Sequence, residues 1–227
     1  MRIRGGTALV ACLMACLAAP AWAGELVGVT LSEQTTVDGS TLVLNGMGLR
    51  EATWLKIEVY VAGLYLEARS SDARAILRAE LPKRIVFVFV RAVGRERLIK
   101  EWDESFKANV GKDFTALKDR VARLHSWMPD AVSKGDEMRL TYLPGKGVVV
   151  EIKGETMGTI PGADFARCLF SIWLGARPPN QTLKMGLLGA GVRRVSMHAT
   201  RTMAMASAGQ PGGIILGDLH ASRSASG

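Results

Sequence analysis

Cysteine, histidine and aromatic residues are all scarce in this sequence. Of 227 residues, three are Cys, three are His and 6% are aromatic. Cys12 and Cys16 fall inside an N-terminal segment built like an export leader. It has Arg2 and Arg4, an apolar run from Thr7 to Ala19, Pro20, and the small-x-small site Ala21-Trp22-Ala23. Cleavage after Ala23 leaves Cys168 alone, which excludes an intramolecular disulfide and a cysteine-based zinc site in the mature chain. The expected location is therefore periplasmic or secreted. Lipoprotein processing ahead of Cys12 or Cys16 is the minor alternative, since either cut leaves little hydrophobic segment before it. Cys168 lies in an apolar helical stretch with no acid or histidine close in sequence, and reads as a buried thiol.

Long hydrophobic runs are missing too. The leader's run is shorter than the roughly 20 residues a spanning helix needs, and no later segment reaches that length, so no transmembrane segment is expected in the mature chain. His125, His198 and His220 are scattered, so no metal site is expected, and His125 reads as a surface residue favoured by a helix C-terminus. There is no P-loop, nucleophile elbow or HExxH, and Gly186, Gly189 and Gly191 follow a helical pattern rather than a strand, which removes the dinucleotide reading. No cofactor is expected.

The net charge of +8 suggests nucleic acid until it is localised. Arg2 and Arg4 leave with the leader, and Arg193, Arg194, Arg201 and Arg223 against Asp218 place +3 in the C-terminal stretch, so the middle carries about +3. No Lys/Arg run interleaved with aromatics is present, and no nucleic-acid partner is expected. Residues 189–227, rich in Gly, Ala, Ser and Met without a sustained period, read as a disordered tail. What remains is one domain over 24–188, large enough for its own core.

Within that domain, β patterns occupy 26–31, 41–44 and 55–67, and the run Ile85-Val86-Phe87-Val88-Phe89-Val90 predicts a central strand covered on both faces. Segments 137–143, 148–152 and 156–160, separated by Pro144-Gly145-Lys146-Gly147 and Lys153-Gly154-Glu155, predict an antiparallel meander. Three-and-four spacing at Leu98, Ile99, Trp102 and Phe106, and again at Phe114, Leu117, Val121 and Leu124, predicts two amphipathic helices. A third runs from Asp164 as N-cap to Gly175 as a left-handed stop, and short ones lie near 71–79 and 181–188. Strands and helices come in blocks, so the class is α+β, an antiparallel sheet with helices on one face. Trp54, Trp102, Trp127 and Trp173 read as core residues, with Trp102 or Trp173 able to line a cleft, and Asn109 as a cap or turn.

The most informative stretch is Leu44-Asn45-Gly46-Met47-Gly48-Leu49-Arg50, followed by a strand holding Tyr60-Val61-Ala62-Gly63-Leu64-Tyr65. With Leu81-Pro82-Lys83-Arg84, Trp102 to Phe106, Lys134-Gly135-Asp136, Tyr142-Leu143-Pro144-Gly145-Lys146-Gly147, and Ile172-Trp173-Leu174-Gly175 before Pro178, the sequence resembles the chalcone isomerase family over residues 24–189. The likeness is to its exported bacterial-type branch. The resemblance implies a curved antiparallel sheet, a helical layer and a mostly apolar cleft between them. Plant members close a chalcone into a flavanone, and other members bind fatty acids without catalysis. Both uses depend on an arginine in a Gly-x-Arg turn, and Arg50 matches it.

A guanidinium beside a low-dielectric cleft offers a fork of donors to a carboxylate, phenolate or enolate. The rest of the isomerase constellation departs from the family: its strand threonine aligns with Tyr60, its helix tyrosine falls near Leu98, its asparagine near Ser105 and its late threonine near Ile172. Losing donors at the carbonyl oxygen costs orders of magnitude in rate. The expectation is therefore non-catalytic binding of a small amphipathic carboxylate such as a fatty acid, with Arg50 and Tyr60 as the gripping pair. The alternative is an intramolecular lyase or isomerase acting on an enone, and a scaffold with a basic tail is a third reading. Without the resemblance, Arg50 reads as a partner of Glu51 or Glu58, and Tyr60 and Tyr65 as strand packing.

Overall fold

The computed structural model describes residues 24–52 and 55–190, apart from the side chains of 112–114. The expected leader, Trp54 and the stretch from 191 onward lie outside the described residues. In chain order come β1 (Gly24–Leu26), β2 (Val29–Leu31), β3 (Gln34–Val37), β4 (Ser40–Ala52), β5 (Ile57–Leu66), α1 (Ala73–Arg78), β6 (Lys83–Phe89), β7 (Val93–Gly94) and α2 (Arg95–Val110). A 3-10 segment (Gly111–Leu117), α3 (Lys118–Ser126), β8 (Ala131–Val132), β9 (Glu137–Leu143), β10 (Gly147–Ile152), β11 (Glu155–Ile160), α4 (Ala163–Leu174) and α5 (Gln181–Leu187) follow.

Seven strands form one antiparallel sheet in the order β11-β10-β9-β6-β5-β4-β3, which places β6 in the middle. The run at 85–90 is apolar because both faces of β6 are used. Ile85, Phe87 and Phe89 enter the main core with α1 to α5, while Val86 enters a smaller cluster on the opposite face. That second cluster, with Leu31, Val37, Leu42, Leu44, Met47, Val61 and Tyr65, is covered by the β1–β2 hairpin through Leu26, Val29 and Leu31. The sheet is curved and carries its helices on one face, an α+β architecture. Register shifts at Leu44/Gly46, Arg50/Glu51 and Val150/Glu151 mark bulges, which bend a strand and re-aim its side chains.

Several local expectations change. The strand expected over 26–31 is two strands joined at Val27-Gly28, whose φ values of 52° and 70° suit a tight hairpin turn. A second such turn at Asp38-Gly39, φ 49° and 81°, joins β3 to β4. β4 runs to Ala52 rather than stopping near Leu44, and the helix expected from Phe114 begins as a 3-10 segment. The N-cap of α4 is Gly162, while Asp164 turns to Arg120 with contacts of 2.8 and 2.6 Å. Gly175 is extended, at φ −70° and ψ −171°, and not left-handed. Glycine is needed there for space, since a Cβ would lie 2.3 Å from Asn109 Oδ1. Gly189 and Ala190, expected to open the tail, instead close α5: Gly189 N–H donates to Gly186 O and Ala190 N–H to Met185 O, a Schellman motif with Gly189 at φ 85°. Cys168 is only partly buried at the edge of the main core, and Trp127 is likewise half-buried beneath the Arg123 guanidinium. His125 is no simple surface residue, because its Nε2 sits 3.2 Å from Asp103 Oδ1 of α2 and burial pulls its pKa down against that neighbour.

Candidate functional site

The Asn45–Arg50 segment of β4 lies under α5 at backbone contact distance. A Cβ on Gly46 would stand 2.2 Å from Gly186 O, and one on Gly48 2.3 Å from Leu183 O, so the helix can rest on the strand only because both positions lack a side chain. Asn45, buried between them, donates to Leu187 O at 2.7 Å and Ser70 O at 3.0 Å and accepts from Ser70 N–H at 2.7 Å. The motif that carries the resemblance is thus a docking surface for α5.

That dock delivers Arg50. Beyond Gly48 the strand continues as Leu49 and Arg50, and Asn180 at the N-cap of α5 donates to Leu49 O at 3.1 Å. Arg50 is the direct cross-strand partner of Tyr60 on β5. Both line a cavity of about 230 Å³, shared with Glu101, Trp102, Glu104 and Ser105 of α2 and with Arg177 of the loop after α4. This loop is held by three elements. Asn109, inside α2 rather than at a turn, bonds both Arg177 N–H and Arg177 O; Lys184 reaches Gly175 O at 2.7 Å; and Asn180 anchors it to β4.

The guanidinium of Arg50 faces inward, with its side chain 13% exposed, and makes an ion pair with Glu101 Oε2 at 3.3 Å. It also donates to Glu51 O, and the expected partners Glu51 and Glu58 give no side-chain ion pair to it. Glu101 keeps its other oxygen on Arg97 at 3.1 Å, one turn earlier on α2. Tyr60 is buried edge-on against Phe87 and Phe89, and its hydroxyl accepts from Trp173 Nε1 at 2.9 Å. Burial pushes its pKa up to about 12, against the Trp173 hydrogen bond and the Arg50 charge, which pull down, and with a small upward push from Glu101. Tyr60 therefore keeps its proton at neutral pH, and with Trp173 donating to its oxygen that proton is its own to give. The arrangement supplies a cation and a neutral donor side by side, which suits a carboxylate or another oxyanion.

Behind these groups the space is filled. Trp173, Phe87 and Trp102 pack against one another, with Trp102 and Trp173 T-shaped at 5.2 Å and Phe87 4.8 Å from Trp173. The cleft expected to be mostly apolar is instead aromatic at its floor and charged at its rim. Of the positions set against the family's donors, Ser105 lines the cavity, whereas Leu98 and Ile172 are sunk in the core. Glu101 and Arg177 are not singled out from sequence as site residues. Their only trace there is position, a carboxylate just before Trp102 on an amphipathic helix and a loop between two helices. Among the described residues no His/Cys/Asp/Glu group could hold a metal ion, and no helix is long and apolar enough to cross a membrane.

No curated protein matches this sequence. A crystal structure of a fatty-acid-binding protein from Arabidopsis thaliana superimposes with a TM-score of 0.56 at 17% identity, covering 71% of this chain and 92% of that one, which is a likeness of fold. The family model described as chalcone isomerase-like matches residues 23–189, the span that folds around the Arg50 cavity. The chain belongs to the chalcone isomerase-like family.

Proposed function

We propose that this domain binds a small amphipathic carboxylate without catalysis, the acid held by Arg50 and Tyr60. One observation carries the reading. A carboxylate, that of Glu101, already rests on the Arg50 guanidinium inside the cavity, beside a hydroxyl that has a proton to give. A ligand acid would take this place, and Glu101 would keep Arg97. The Arabidopsis structure, described as a fatty-acid-binding protein, supports acids as the ligand class. The reading includes export, with the mature chain starting at Gly24, as the leader's composition suggests.

Isothermal titration of the mature protein with hexanoate is expected to give saturable binding. Arg50→Ala is expected to weaken it by about 2 to 5 kcal/mol, the loss typical of truncating one side of a buried charge pair. Equal binding by the variant contradicts the assignment of Arg50. The enzymatic alternative is tested on the same preparation with a hydroxychalcone, where flavanone formation well above the uncatalysed rate would replace the binding reading. Intact mass of the exported protein checks the cleavage site.

A further inference from the structure

Resting on that reading, we infer that the Arg50 cavity is confined to compact carboxylates and that Trp102 sets the limit. The cavity holds about 230 Å³. At about 30 Å³ for each water-sized group, that is room for roughly eight of them, close to hexanoate or benzoate and about half of what palmitate needs.

The interior offers no extension. The floor is made of Tyr60 and Trp102, each 3% exposed, with the fully buried Trp173 behind them, and the three are locked through ring contacts to Phe87 and by the Trp173 to Tyr60 hydrogen bond. The rim offers little apolar path either. Glu101, Glu104 and Arg177 stand around it with only Ala108 and Pro179 as apolar surface, so a tail leaving the mouth would lie mostly over charge and water and gain little from burial. Trp102 belongs to both floor and lining. Unlike Trp173, its indole N–H has no hydrogen-bond partner among the described residues, so packing alone holds it. Replacing Trp102 by Leu breaks no hydrogen bond there and opens space behind the acid site.

The test is a chain-length series of straight-chain acids, butyrate through dodecanoate, titrated calorimetrically into the mature protein below their micellar concentrations. Each methylene that enters the cavity is expected to tighten binding about fourfold, and the gain should stop near hexanoate to octanoate. In Trp102→Leu the gain should continue by two or more further methylenes. Affinity that keeps climbing through dodecanoate in the wild-type protein overturns the inference while leaving the Arg50 reading in place. A plateau that stays put in Trp102→Leu removes Trp102 as the limit. Should that variant fail to fold, the wild-type series decides the size limit and Trp102→Phe, with its smaller ring, decides the residue, a plateau displaced by about one methylene being the expected result. Failure of every acid to bind overturns the binding reading and this inference together.

Discussion

The two halves of β4 do different work. From Asn45 to Gly48 the strand is stripped of bulk so that α5 can rest on its backbone, and its one polar side chain is spent entirely on internal hydrogen bonds. From Leu49 to Arg50 the same strand holds a long cation whose charged end faces the cavity. The first half fixes where the second half points. A short run of sequence can therefore be read as a binding motif when most of its residues are there for packing.

Substitutions should separate the halves. The largest effect is expected for Gly48→Ala, whose Cβ would meet Leu183 O at 2.3 Å and push α5 off the strand. Overpacking against backbone is expected to cost about 3 kcal/mol or more in urea unfolding, and hexanoate binding should fall with it because Arg50 is two residues away. Asn45→Ala comes next. It leaves Leu187 O and both backbone groups of Ser70 without their partner, for a loss of about 2 kcal/mol. In the other half, Arg50→Ala should lower stability by only about 1 kcal/mol, since Glu101 is partly exposed and retains Arg97. A stability loss for Arg50→Ala as large as that of Gly48→Ala would erase the distinction between the two halves.

The smallest effect lies away from β4 and serves as the reference. Arg120 holds the Asp164 carboxyl down to about 2, below its ordinary 3.8. A lowered carboxyl pKa adds stability above the ordinary value, and this is lost as pH falls from about 4 through about 2. Because Asp164 is 62% exposed, the gain is under about 1 kcal/mol. Asp164→Asn should lower the neutral-pH melting temperature slightly and converge with the wild type near pH 2, which flattens the acid limb of a thermal-melting series between pH 5 and 2. An undiminished acid limb would assign that limb to other carboxylates.

Periodicity made the sheet and helical layer legible. The β9 to β11 meander and the placement of β6 followed from alternation, turn residues and an all-apolar run. β3 is not legible although Asp38-Gly39 is a hairpin signal, because Gln34-Thr35-Thr36 has little apolar alternation. Gly46 and Gly48 made β4 look as though it ended early, since a strand glycine signals weakness until the helix lying on it is seen. Arg50 and Tyr60 were legible through the resemblance, and the register pairs them. Glu101 and Arg177 were not, because 51 and 127 residues separate them from Arg50 and only the tertiary packing of α2 and the Asn109-held loop brings them to it.

A guest carboxylate is expected to replace Glu101 on Arg50. A crystal structure of the mature protein with 4-bromobenzoate tests it most directly, through the bromine's anomalous signal. The expected result is bromine in the cavity beside Trp102, the carboxylate on Arg50 and Tyr60, and Glu101 turned to Arg97. Bromine bound elsewhere, with the Arg50–Glu101 pair intact, would contradict it.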